Sequence, residues 1–264
     1  MKASESNPNY PSKVREMTNY TIREIKKVCK DIGPRPSGEE NERKAQDYVA
    51  DSMSKVADSV VKERFELHPK AFMGWVPLDV ILMTISVILT LLSYFDVLPS
   101  ASTAFSAVSV VLTSLAIIFT FFEFLLYKKF LDPFFPKRET YNVVCTRKAA
   151  GETKRRIVFS GHIDSAYEWY FTHLGGGKLL TTMIALAFGA IAITLAASIV
   201  SFFDVPNGVR VTAIVVLFVC LVPILMCSKF VNWKLCVPGA NDNLTGVFAS
   251  MSVLRYMAAN DIRF

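Results

Sequence analysis

The sequence has few of the residues that hold small secreted or thiolate-metal proteins together. Its five cysteines stand at 29, 145, 220, 227 and 236; none forms a Cys-x-x-Cys pair, and Cys220 and Cys227 lie within an apolar run. That spacing speaks against a disulfide framework or a thiolate zinc site and fits a reducing compartment. Residues 1–15 are polar and contain no apolar core, so no cleavable signal peptide is expected. Histidine occurs only three times, and no glutamate follows Glu168. The net charge of +6 comes without a basic stripe interleaved with exposed aromatics, which sets nucleic acid aside as a partner.

Apolar sequence is abundant. Hydrophobic residues make up 52% of the chain while charged residues still make up 20%, so the two kinds must be segregated along it. Residues 76–122 carry charge only at Asp79 and Asp96, and residues 179–203 and 211–228 include no stretch broken by Asp, Glu, Lys or Arg. A spanning helix needs about 20 mainly apolar residues. Four spans are therefore expected, near 77–95, 103–127, 179–203 and 211–228, paired into two hairpins by turns around Pro99 and around Asp204–Gly208. Asp79 and Glu123 are placed near span ends, where a carboxylate can reach the interface. Tyr167, Trp169, Tyr170 and Trp233 flank the spans as interfacial aromatics do.

The polar segments read as pieces of a water-exposed domain. Thr21-x-x-Glu24 has the form of a capping box, followed by a helical face of Ile22, Ile25, Val28, Cys29 and Ile32. Gly33-Pro34-Arg35-Pro36-Ser37-Gly38 breaks that helix. Ser37-x-x-Glu40 is expected to cap a second helix with Ala45, Tyr48, Val49, Met53 and Val56 inward. Residues 60–67 alternate as a half-buried strand with Val61, Phe65 and Leu67 inward. Residues 141–146 and 156–160 read as further strands, and Ile157-Val158-Phe159 has the unbroken apolar character of a central strand covered on both faces. Residues 244–259 read as an amphipathic helix with Val247, Met251 and Leu254 inward. Each hairpin returns to the side it left, so these segments share one compartment. Lys70, Lys128, Lys129, Lys137, Arg138, Lys178, Lys229 and Lys234 flank the spans on that side, whereas the hairpin tips offer only Arg210. The positive-inside tendency then places the domain in the cytoplasm of a multi-pass membrane protein.

Two motifs carry chemistry. Ser160-Gly161-His162-Ile163-Asp164-Ser165 puts an imidazole at the end of an expected strand, where it is a ready zinc ligand, and a carboxylate two residues on can hold the other ring nitrogen. A lone His-x-Asp is as readily structural. Pro238-Gly239-Ala240-Asn241-Asp242-Asn243-Leu244-Thr245-Gly246 is a turn feeding a helix; it presents Asp242 at the helix start, and a plain Asn/Asp cap is the alternative reading. His173 and Gly175-Gly176-Gly177 precede the third span without a P-loop pattern, so they read as a flexible membrane entry.

Together, Gly161-His162-x-Asp164-Ser165 and Pro238-Gly239-Ala240-Asn241-Asp242-Asn243-x-x-Gly246, with the Gly33–Gly38 loop and Asn142-Val143-Val144, resemble the co-catalytic di-zinc aminopeptidases of the aminopeptidase S and aminopeptidase Y type. The resemblance implies an α/β class: a partial α/β/α zinc-peptidase sandwich with a mixed sheet, interrupted by two transmembrane hairpins. Residues 1–75, 129–177 and 232–264 would form the peptidase part, and 76–128 and 178–231 the hairpins. It further implies that His162 binds one of two Zn2+ ions, that Asp242 bridges both, that Asp164 orients His162, and that the substrate is a peptide with a free N-terminus. Asn241 stands where many relatives have Asp. The adjacent glutamates that such enzymes place after the bridging aspartate, one a general base and one a ligand, are absent, as are the later Asp and His ligands. The expectation is an N-terminal portion inactive by itself; the alternative is a non-catalytic membrane binding or scaffold protein on a degenerate peptidase fold.

Overall fold

A computed structural model describes residues 10–263. In chain order the elements are α1 (Tyr10–Asp31), α2 (Glu40–Met53), β1 (Ser59–Leu67), α3 (Val76–Tyr94), α4 (Ser102–Phe119), β2 (Arg138–Thr146), β3 (Tyr167–Trp169), α5 (Tyr170–Val200), α6 (Asn207–Met226), β4 (Val231–Cys236) and α7 (Thr245–Ala259). They form two compact units built from interleaved stretches. Unit 1 comprises Met1–Pro69, Lys137–Tyr167 and Trp233–Phe264, and unit 2 comprises Lys70–Pro136 and Glu168–Asn232.

Unit 1 is a helical cluster with one ribbon. The face of α1 bearing Tyr20 and Val28 meets Val49 and Met53 of α2 and Val247, Phe248 and Met251 of α7, with Ile25, Cys29, Ile32, Val60, Val143 and Cys145 around them. β1 and β2 pair antiparallel from Ser59↔Thr146 to Leu67↔Arg138. Val60 takes the core side and Leu67 is half-buried, while Val61 and Phe65, expected inward, are exposed, so the alternation expected for 60–67 holds only at Leu67.

The α/β/α sandwich with a mixed sheet is not what the chain forms. Among the described residues the sheet content is two two-stranded pairs, β1–β2 and β3–β4, in a predominantly helical protein. Ile157, Val158 and Phe159 are in no strand and are 70, 76 and 56% exposed. An apolar run becomes a central strand only when neighbours pair on both of its edges, and no described segment lies beside this one as a strand. Two helix starts also differ from expectation. α1 begins by Tyr10, so Thr21 sits mid-helix, and its hydroxyl meets that of Ser252 at 2.8 Å rather than capping. Ser37 makes no cap for α2; Glu42 of that helix reaches back to accept the Gly38 N–H at 2.6 Å. The expectation for residues 1–15 falls partly outside the described residues, which begin at Tyr10.

Unit 2 contains four helical stretches long and apolar enough to cross a membrane: Ala71–Tyr94, Pro99–Leu125, Tyr170–Val200 and Asn207–Lys229, with mean hydropathies of 2.2 to 2.8. They match the four expected spans and support a multi-pass membrane protein. Ile81, Ile85, Val111, Val219 and Val222 point outward and exposed, as lipid-facing side chains do, while Met83, Val87, Leu91, Leu217 and Ile224 pack inside. α4 continues as a π-helical turn through Thr120–Leu125. α5 is kinked at Gly175 and Gly176, which have non-helical backbone angles. Asp79 and Glu123 stand near span ends as expected, but both side chains are buried in the protein instead of reaching outward. Asp79 accepts from the Thr120 hydroxyl at 2.8 Å, and Glu123 accepts the Leu131 N–H at 2.8 Å. Internal donors draw these carboxylates inward.

Candidate functional site

Three loops of unit 1 carry the motifs, and backbone contacts lock them together. Arg35, fully buried in the proline-bracketed loop after α1, is the keystone. Its N–H donates to the Ser165 hydroxyl at 2.8 Å and its carbonyl accepts the Ser165 N–H at 2.9 Å. Its guanidinium donates to the carbonyls of Ile163 at 2.8 Å and Gly33 at 2.6 Å. Burial lowers the Arg35 pKa from its ordinary value, opposed by Cys29, Cys236 and Asp164 nearby. The prolines on either side stop the helix and hold this residue in extended backbone that its side chain can fold under.

The same loop reaches the second motif directly. Ser37 donates its hydroxyl to Oδ2 of Asp164 at 2.5 Å. Glu42, whose pKa burial raises against the Gly38 N–H and the Thr140 hydroxyl, anchors the loop from below.

The third loop approaches through missing side chains. A Cβ on Gly161 would stand 2.5 Å from the Val247 nitrogen and 2.6 Å from the Gly246 carbonyl carbon, so the backbones touch there. Gly239 has φ +61°, and a Cβ there would collide with Ser165. At the start of α7 the capping role falls to Asn243, whose Oδ1 accepts the Gly246 N–H at 3.1 Å. Asp242 is thereby released from the cap alternative and its side chain is directed elsewhere.

Its destination is His162. The imidazole lies between two carboxylates: Nδ1 is 3.1 Å from Oδ1 of Asp164, and Nε2 is 3.1 Å from Oδ1 of Asp242. A neutral imidazole has one N–H and can donate to only one of them. With Nδ1–H given to Asp164, the Nε2 lone pair faces a carboxylate oxygen, and a cation or a second proton is needed to make that contact attractive. The group is open to water, with His162 52% and Asp242 77% exposed.

This donor set provides a direct test of zinc. Nitrogen and oxygen ligands at about 2.0–2.1 Å around a tetrahedral ion stand roughly 3.4 Å apart, so the 3.1 Å separation of Nε2 and Oδ1 suits two neighbouring corners. The other corners lack ligands: among the described residues no cluster of three or more His, Cys, Asp or Glu can hold a metal. His173, the other histidine in the second half of the chain, pairs with Glu168 at 3.5 Å in unit 2. The residues present therefore fit half of one zinc site, and no catalytic step follows from them alone.

The sequence-predicted residues His162, Asp164 and Asp242 are thus brought together. Arg35, Ser37, Ser165 and Glu42 were missed as functional positions. The signal for Arg35 was an arginine flanked by two prolines in an otherwise apolar-cornered turn. The chain matches no family model, no curated protein and no solved structure.

Proposed function

We propose that the chain contributes one half of the metal centre of a membrane-bound zinc metallopeptidase of the co-catalytic aminopeptidase type, acting on a peptide with a free N-terminus. The observation that carries this reading is the imidazole of His162 held between carboxylates 2 and 80 positions away, across an intervening apolar hairpin. Asp164, itself fixed by Ser37, selects the tautomer that leaves Nε2 free as a ligand; Asp242 supplies the adjacent oxygen. When bound, a pair of zinc ions would polarise the scissile carbonyl and acidify a water. Among the described residues no cluster supplies the third and fourth ligands such a site needs. The lysines flanking the spans support a cytoplasmic domain under this reading.

A second reading is favoured by the missing third ligand: a non-catalytic membrane binding or scaffold protein that keeps the two loops as structure. Thermal unfolding with and without zinc chloride separates the two. A ligand that binds only the folded state at 100 times its dissociation constant adds about 2.7 kcal/mol. The peptidase reading expects a zinc-dependent rise in Tm that vanishes in H162A and in D242N. An unchanged Tm in wild-type protein removes zinc binding by His162 and Asp242 in this chain. Peptide hydrolysis is then measured on a polypeptide that also carries the glutamate pair, where activity must disappear in both variants.

A further inference from the structure

Unit 2 holds a cavity that the proposed metal centre does not use. It lies at the end of the bundle where the chain enters α3 and leaves α6, and has a volume of about 90 Å³. Its walls are almost entirely carbon, from Trp75, Met83, Phe124, Phe188, Ile224 and Phe230, and no Lys, Arg or His lines it. Two polar side chains reach it, Asp79 and Thr120, with Asp79 only 7% exposed. Thr120 donates to Oδ2 of Asp79, and Oδ1, fully buried, has no hydrogen-bond partner.

A buried carboxylate oxygen without a donor, here in the first turn of a membrane-type helix, is unfavourable unless it takes up a proton or a donor arrives to meet it. The chemistry of the walls narrows what that can be. A divalent cation needs about six oxygens and the cavity offers one carboxylate and one hydroxyl. A water would find only Asp79 and Thr120 as side-chain partners, the fewest that hold one in a buried site. A group with N–H donors and positive charge satisfies Oδ1, in a lining that includes Trp75, Phe124, Phe188 and Phe230. The cavity, with about 90 Å³ open to a water-sized sphere, is larger than a single water requires. That admits an ammonium head with its first methylenes, while any longer chain must leave through the open side.

We infer that this cavity is a binding site for a primary amine carried on a hydrocarbon chain, its ammonium seated on Oδ1 of Asp79. The inference does not depend on the metal reading of unit 1, because no residue is shared.

The test uses the whole chain in neutral maltoside micelles, with decylamine as the probe and decanol and butylamine as comparisons. Binding is followed by Trp75 fluorescence in a W169F/W233F background and by the shift in Tm. Saturable decylamine binding is expected, at least tenfold tighter than decanol or butylamine, with the amine preference over decanol lost in D79N. Ala187 of α5 also lines the cavity; A187F, which adds bulk there and leaves Asp79 intact, should abolish binding altogether. Equal response to decylamine and decanol in the wild-type chain overturns the site. So does decylamine binding that survives A187F, or an amine preference that persists in D79N. Butylamine binding as tightly as decylamine would mean that a soluble amine, not a lipid-like one, is the ligand, and would overturn the hydrocarbon-chain part of the inference. If D79N does not fold, the wild-type comparison and A187F decide the matter.

Discussion

In unit 1 two buried charged side chains gather backbone groups around the loops: Arg35 the carbonyls of Ile163 and Gly33, Glu42 the Gly38 N–H. In unit 2, apart from the carboxylates of Asp79 and Glu123, the buried polar side chains are small hydroxyls, many of which bond to one another. Ser86 meets Ser109 at 2.6 Å and Thr113 at 2.5 Å; Thr90 meets Ser109 at 2.6 Å and Ser198 at 2.8 Å; Ser106 meets Ser201 at 2.7 Å. The contrast follows from what surrounds each unit. A loop exposed on one side to water leaves carbonyls and N–H groups free, and only a charged fork or carboxylate can gather several of them. A helix in lipid satisfies its own backbone, so what remains to be matched between helices is side chain to side chain. Small residues also let the helices approach closely.

The strongest way to break this contrast is to remove the unit 1 keystone. Arg35→Met strands two carbonyls and frees the loop holding Ser165 and Ser37; a loss of about 3 kcal/mol is expected. Chemical unfolding followed by circular dichroism measures it, and a loss under 1 kcal/mol would mean that the loops hold themselves. Ser109→Ala removes the hydroxyl with the most partners from the unit 2 seam. Because other hydroxyls remain to pair, the cost should be only about 0.6 kcal/mol, read as a small drop in Tm in micelles; a collapse of the bundle would show that the seam acts as one unit. The smallest effect concerns an ionic contact at the surface. Hydrogen bonds from Arg263 and from the Lys148 N–H hold Asp58 at a pKa of about 2, below the roughly 3.9 of an unfolded aspartate. A depressed carboxylate stabilises the fold above its unfolded pKa and stops doing so as pH falls through its folded one. Wild type should therefore be more stable than D58N at pH 7, and the two should converge as pH drops from about 4 to 2. A gap that stayed constant down to pH 2 would exclude this contact as its source.

The four spans were legible because hydropathy over 20 residues needs no tertiary information. So was α7, whose apolar period put Val247 and Met251 inward as expected. The meeting of His162 with Asp242 was legible only through the pairing of two motifs, neither of which was decisive alone. The sheet was not legible. Ile157-Val158-Phe159 satisfies every local rule for a buried strand, but pairing is a property of neighbours, and the run stands exposed. The caps failed for local reasons: Thr21 lies inside a helix that begins by Tyr10, and the Ser37 hydroxyl is turned to Asp164 instead of to a helix N–H. One pattern in the spans was available and overlooked. Ser86, Thr90 and Ser93, then Ser102, Ser106, Ser109 and Thr113, then Thr194, Ser198 and Ser201 each recur at intervals of three and four, which puts them on one helical face. That period marks the hydroxyl seam, and the pull of Thr120 on Asp79 lies on the same interface between α3 and the end of α4.

The contact of Gly161 with Gly246 and Val247 has a mechanical consequence. Because main chain rests on main chain, the two halves of the His162–Asp242 jaw share a fixed hinge pin, and its gape is set by rotation of two side chains rather than by travel of the loops. A single methyl at Gly161 would drive the pin apart by an ångström or so, about the difference between ligands that share an ion and ligands that merely face one.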